Sequence, residues 1–135
     1  MVKAKKTNYT YTVGRRKTAS ARVRLYKGKG ENSVNGQPVE KYFSSPIFIN
    51  TWNKTFKPEL FEKYFASIRV LGGGKKGQLD AVIHALAKAF SKAEKDNFRP
   101  VFKKAGLLTR DARIRERRKV GTGGKARRKK QSPKR

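Results

Sequence analysis

The chain has 135 residues, with 36 Lys and Arg against 9 Asp and Glu and a net charge of +27. That imbalance points to a polyanionic partner, nucleic acid before an anionic membrane. Without cysteine, and with His84 as its single histidine, the chain is expected to hold no disulfide, thiolate metal site or zinc cluster, and no apolar run approaches the ~20 residues that span a bilayer.

Residues 1–8 read as a polar, basic arm without the apolar stretch of a secretory signal. Tyr9, Tyr11 and Val13 then alternate with Thr10 and Thr12, a period-two strand pattern that Gly14 and the Arg15-Arg16-Lys17 cluster interrupt. A second strand sets Ala21, Val23 and Leu25 on one face and Ser20, Arg22 and Arg24 on the other. Gly28 and Gly30 turn the chain into a short strand around 32–34, which ends at the tight-turn dipeptide Asn35-Gly36. Pro38 opens a short helix to Tyr42, and Ser45-Pro46 and Lys57-Pro58 mark two further helix starts. Ile47, Phe48, Ile49, Trp52 and Phe56 read as core cover rather than as a base-stacking platform. Residues 64–71 form a fourth strand, with Ala66, Ile68 and Val70 facing one way and Ser67 and Arg69 the other.

After the glycine loop 72–77 comes the strongest helical pattern. Leu79, Val82, Ile83, Leu86 and Phe90 form one apolar stripe, with Asp80, His84, Lys88 and Lys92 opposite. A second helix spans about 96–104, with Gly106 as its C-cap. The order β-β-β-α-β-α indicates an α/β domain (an α+β two-layer arrangement) over 9–106: a small mixed four-stranded sheet with helices packed on it.

Residues 107–135 read as an extended basic tail. Within it, 110–135 carries thirteen Lys and Arg, two acids and no aromatic residue, and Ile114 and Val120 are its only sizeable apolar side chains. Such a segment buries too little to offset its ordering entropy, so it is expected to order only against a polyanion. Thr109-Arg110-Asp111-Ala112-Arg113 reads as the start of a short helical segment, with Thr109 as cap and Asp111 at its positive end. Gly121, Gly123 and Gly124 release the chain from that segment. The stretch 120–135 would then reach roughly 50 Å at ~3.3 Å per residue.

Phosphate contact is the expected use of the cation clusters. Arg15, Arg16, Lys17, Arg22 and Arg24 lie within ten residues and have no acid among them. Arg110, Arg113, Arg117 and Arg118 repeat the pattern in the tail. Lys75 and Lys76 sit beside a helix N-terminus that offers free N–H groups to an RNA phosphate, a plain strand-to-helix turn being the equal alternative. The loop fits G-x-G-x-x-G, yet no second parallel strand ending in an acid follows, and Gln78 stands where a P-loop needs lysine, so no nucleotide cofactor is expected. His84 shares a helix face with Asp80 and Lys88 and has no nucleophile or ligand set around it; it reads as facing solvent or RNA. Nothing in the sequence argues for an enzyme, a catalytic residue, a metal or a small-molecule substrate.

The residues then resemble one family nearly end to end: small-subunit ribosomal protein nine, of the bacterial and organellar type. The matching pieces are Gly14-Arg15-Arg16-Lys17 with Thr18-Ala19-Ser20-Ala21-Arg22-Val23, Val34-Asn35-Gly36 with Glu40-Lys41-Tyr42-Phe43, and Gly72-Gly73-Gly74 with Gly77-Gln78. They continue through Lys104-Ala105-Gly106-Leu107-Leu108-Thr109-Arg110-Asp111-Ala112-Arg113, Glu116-Arg117-Arg118-Lys119, Lys125-Ala126-Arg127-Arg128 and the closing Lys134-Arg135. The resemblance implies a structural protein of the small-subunit head, similar in its globular part to the second domain of ribosomal protein five. Its implied partners are small-subunit ribosomal RNA, peptidyl-site tRNA and neighbouring head proteins, on a cytoplasmic ribosome, or an organellar one if the chain is organelle-encoded. Lys119, Lys125, Arg127 and Arg128 would join the tail arginines along the RNA path, and Lys134 and Arg135 would approach tRNA phosphates. Two departures stand out: Ile83 and Ala85 replace the family's usual arginine and glycine beside the histidine, and Gln131-Ser132-Pro133 lacks the usual tail aromatic. A free-standing DNA-organising protein is the alternative that charge alone would permit, but no insertion wedge, arm pair or dimer seam is visible. A membrane-active role fails because the basic tail has no apolar stripe.

Overall fold

The computed structural model describes residues 8–125, 127, 129, 132 and 133. Strands β1 (Tyr9–Arg16) and β2 (Ala19–Lys27) form an antiparallel hairpin that turns at Lys17, whose φ of 54° lies in the left-handed region. The Arg15-Arg16 pair therefore belongs to the strand, which runs on past Gly14. After a short β3 (Ser33–Val34), Asn35 and Gly36 both take positive φ, 50° and 80°, the combination a type I′ hairpin turn demands. The chain doubles back as β4 (Gln37–Pro38), a fifth strand in place of the four expected. Pro38 is tolerated there because β4 is an edge, where the missing N–H costs no ladder bond.

Helix α1 (Val39–Tyr42) follows Pro38 directly, and α2 (Pro46–Thr55) starts with proline in its first turn after Ser45. Pro58–Glu62 closes into a 3₁₀ turn rather than an α-helix. Strand β5 (Tyr64–Leu71) then enters the middle of the sheet, antiparallel to β2 and parallel to β3, giving the order β1-β2-β5-β3-β4. Helices α3 (Lys75–Ala93) and α4 (Lys95–Lys104) complete a mixed sheet with a helical layer, the two-layer class that the element order implied.

The position of α3 explains two oddities of β1. A β-carbon on Gly14 would lie 2.6 Å from the Ala85 amide nitrogen and 2.9 Å from its Cβ, so only glycine lets this strand and helix approach. Two residues before it, buried Thr12 donates its hydroxyl to the Ala85 carbonyl at 2.7 Å. The inward face of β1 is thus Thr12 and Gly14, while Tyr11 stays 44% exposed. Beyond its apolar stripe, α3 also buries Ala81, Ala85 and Ala89, small residues that let it touch both β1 and β2 closely.

On the far side of α3, Phe90 meets the rings of Phe56, Phe61, Tyr64, Phe98 and Phe102 with centroids 5.4–6.2 Å apart. Edge and tilted ring pairs of this kind each add about 0.5–1.5 kcal/mol beyond simple burial. Trp52 and Phe56 are core, as expected, whereas Ile47 is 73% exposed and covers nothing. At the end of α4, Gly106 takes φ 74°, its N–H donates to Lys103 O at 3.1 Å, and Leu107 N–H reaches Phe102 O at 3.0 Å. This glycine cap brings Leu107 and Leu108 back against the core, where they are half-buried.

Candidate nucleic-acid interface

Because α3 covers one side of β1, β2 and β5, their alternate residues form a second face. The strand register places Val13, Arg22 and Arg69 in one row and Tyr11, Arg24 and Ser67 in the next. Arg15, Ser20 and Leu71 form the row on one side, and Tyr9, Tyr26 and Phe65 the row on the other. Arg15, Arg22, Arg24 and Arg69 are all exposed, and the three strands contain no Asp or Glu. The aromatic row is stacked: Tyr26 lies on Phe65 at 5.1 Å and 14°, Tyr9 tilts against Tyr26 at 5.5 Å, and the Arg24 guanidinium sits 5.2 Å from the Tyr9 ring centroid. Between Arg22 and Arg69 a recess of about 220 Å³ opens, also lined by Ser20, Asn35, Val70 and Leu71. Guanidinium forks on a rigid strand beside half-buried aromatic rings can hold phosphates bidentately, with the ring edges beside them.

Arg16 points the other way, into the helical layer, with its side chain 13% exposed. Its Nη1 donates to the Arg113 carbonyl at 2.6 Å, its Nη2 lies 3.5 Å from Asp111 Oδ2, and its Nε lies 3.8 Å from Asp80 Oδ2. This residue, expected to hold RNA phosphate, clamps the root of the tail to the domain. Lys17 stays exposed at the hairpin turn.

The helical segment expected from Thr109 is absent, since 110–119 forms no helix. Asp111 gives the reason: its Oδ1 accepts from the Arg113 N–H two residues on, at 3.1 Å, a local turn that competes with a helical start. The Arg113 guanidinium also donates to both carboxylate oxygens at 2.8–3.1 Å. Those bonds, and then Arg16 nearby, hold the Asp111 carboxyl well below the usual carboxylate range, and Asp111 in turn raises Arg113.

His84 is not turned to solvent. The returning Leu107-Leu108 segment brings the Leu108 carbonyl to 3.3 Å from Nε2, and Nδ1 is buried without a partner. Burial lowers the His84 pKa, and Lys88 and Arg110 add to the fall while the Leu108 carbonyl opposes it. In the glycine loop, the Lys75 ammonium lies 3.3 Å from the Tyr42 ring centroid and 3.3 Å from its carbonyl, so packing occupies it. Lys76 remains exposed near the Arg16 clamp.

Farther along the tail, Arg110, Arg113, Arg117, Lys119 and Lys125 are exposed, as are Ile114 and Val120, at 74% and 86%. Arg118 donates to the carbonyls of Gly124 and Arg127, closing a local loop. Arg128, Lys134 and Arg135 lie outside the described residues.

Two groups of cations were missed. Arg69, which the alternation of its strand already turned to the outer face, shares the Arg22 row. Lys88, Lys92, Lys95 and Arg99 line a groove of about 680 Å³ with Tyr11 and Val13, where Lys88 donates to the Val13 carbonyl at 2.8 Å. Their spacing of four, three and four residues is one face of a helix, but it crosses the break at Glu94 between α3 and α4.

Fold and site together define a two-layer α/β domain with one arginine-bearing sheet face and a basic extension clamped at its root, a shape suited to lying on a polyanion. The family model described as Ribosomal protein S9/S16 matches residues 14–135, so the chain belongs to that family, as its motifs implied. It is 42% identical over 118 residues to the small ribosomal subunit protein uS9 of Lawsonia intracellularis, covering 85% of this chain and 88% of that one. The uS9 protein of Solidesulfovibrio magneticus is 42% identical over 117 residues, covering 86% and 89%. That of Leifsonia xyli subsp. xyli is 44% identical over 110 residues, covering 81% of this chain and 66% of the relative.

Proposed function

We infer that this chain is a structural constituent of the small ribosomal subunit and serves translation by holding ribosomal RNA, not by catalysis. The observation that carries this reading is the acid-free sheet face, with Arg15, Arg22, Arg24 and Arg69 exposed along it and a stacked aromatic row at one end. Family membership supports it, and a bacterial chain of this kind would work on cytoplasmic ribosomes. RNA is the main partner, with neighbouring small-subunit proteins beside it.

The finer reading divides the chain into a basic arm over 1–8, an RNA-binding domain over 9–106 and a tail over 107–135. The cations of the tail, Arg110, Arg113, Arg117, Arg118, Lys119, Lys125, Arg127 and Arg128, follow RNA phosphates, and Lys134 and Arg135 reach peptidyl-site tRNA. What supports a directed tail is the Arg16 clamp: it fixes where the cationic stretch leaves the domain. The test is reconstitution of small subunits with the full chain and with a chain lacking 131–135. Both should assemble, and the shortened form should release peptidyl-site tRNA several-fold faster. Equal tRNA retention would overturn the tRNA contact. Competition of folded small-subunit RNA against random duplex DNA tests the wider reading, and equal affinity would favour a DNA-organising protein.

A further inference from the structure

Of the nine acids, seven are in no salt bridge among the described residues, and two of those seven lie together in one groove. Asp80 and Asp111 face Arg16, and Glu94 accepts from Tyr64 and Asn97. Glu31, in the loop between β2 and β3, and Glu40, in α1, are exposed, and neither is in a salt bridge among the described residues. Both instead line one groove of about 320 Å³, where the β2–β3 loop, the start of α1 and α2 converge. Phe43, Phe48, Ile49 and Trp52 provide its apolar lining, and no Lys or Arg lines it. With Glu31 and Glu40 as its only charged lining residues, the groove suits cationic side chains better than an RNA backbone.

We propose that this groove docks a short, extended Lys/Arg-rich segment of another protein, one that seats an aromatic or aliphatic side chain on the half-buried Phe48 and Ile49 while its cations meet Glu31 and Glu40. The volume admits one or two side chains, which fits a segment and not a domain face. An apolar anchor within a polar rim is the usual anatomy of such contacts. Strand addition is excluded as the mode, because the adjacent edge, β4, is only two residues long and includes Pro38. The proposal rests on the ribosomal reading only for where the partner is met: inside the small subunit, among neighbouring proteins.

The experiment places a photoreactive benzophenone side chain at Asn53, which lines the groove and is exposed, in chains assembled into purified small subunits. A parallel chain carries it at Leu71, on the open sheet face. Irradiation should join the Asn53 probe to one protein, at a peptide rich in Lys and Arg, and the Leu71 probe to RNA. Adding E31K and E40K, both at exposed positions, should cut the Asn53 protein adduct at least tenfold and leave the Leu71 adduct unchanged. An RNA adduct at Asn53, an adduct to an acidic or uncharged peptide, or no adduct would each overturn the docking proposal. Loss of the RNA adduct at Leu71 alone would count against the RNA-binding reading and not against the groove.

Discussion

The two faces of the β1-β2-β5 sheet are written in the same residues, one position out of step. Inward, Thr12, Gly14, Ala21, Val23, Leu25, Ala66, Ile68 and Val70 are buried against the helical layer. Outward, Arg15, Arg22, Arg24 and Arg69 stand exposed with no acid between them. One face supplies stability and the other supplies charge, so the two properties should separate under mutation. The contrast carries a general point: in a half-covered sheet, the polar half of the alternation deserves to be read as a surface in its own right.

The sharpest way to break the contrast is from the inside. Phe90→Ala removes the ring at the centre of the aromatic cluster and should cost about 3–5 kcal/mol in denaturant unfolding. Gly14→Ala forces a β-carbon onto the α3 backbone and should cost about 2–3 kcal/mol in the same measurement. Neither changes a charge, so any RNA binding by the folded fraction should keep its salt dependence.

From the outside, the combined variant Arg22→Gln, Arg24→Gln and Arg69→Gln should leave the unfolding midpoint unchanged or slightly raised. Its RNA affinity should fall, and the slope of log K against log salt should shrink by about 2, near the value for three lost phosphate contacts. An unchanged slope would mean that the open face is not the RNA surface.

Smaller effects belong to the clamp. Asp111→Asn weakens the contacts to Arg16 and Arg113, so amide exchange over 107–113 should quicken and trypsin should cut sooner after Arg110 and Arg113, with the midpoint of global unfolding unmoved. The smallest concerns His84. Its folded pKa lies below its ordinary 6.5, so the unfolded chain binds more protons, and the stability it contributes is present above 6.5 and lost as pH falls below it. A His84→Gln variant should lose that part of the pH dependence of unfolding.

Much of this arrangement was legible in the sequence. The alternation of β2 and β5 and the stripe of α3 gave all three elements their inward faces, because each is long enough for its period to repeat. Strand β4 was not legible, since two residues carry no period and Pro38 suggested a helix start instead. The helix expected at Thr109 failed because the carboxylate of Asp111 serves its own neighbour two residues on. Arg16 looked like any member of a cationic run, and only the fold shows it turned inward toward a carbonyl 97 residues away. The alanines of α3 were passed over because small side chains mark a close approach, which hydrophobicity does not reveal.

The opposed pair Arg22 and Arg69 has one more consequence. Like charges directly across neighbouring strands destabilise a sheet, and here no acid on either strand relieves them. The free domain is therefore a polyelectrolyte held folded against its own repulsion, and a bound polyanion stabilises it by mass action. Ionic strength should act on the two states with opposite sign: added salt screens the repulsion and firms the free domain, while it loosens the domain from RNA. The free domain should therefore unfold more readily than the bound one, most of all at low salt.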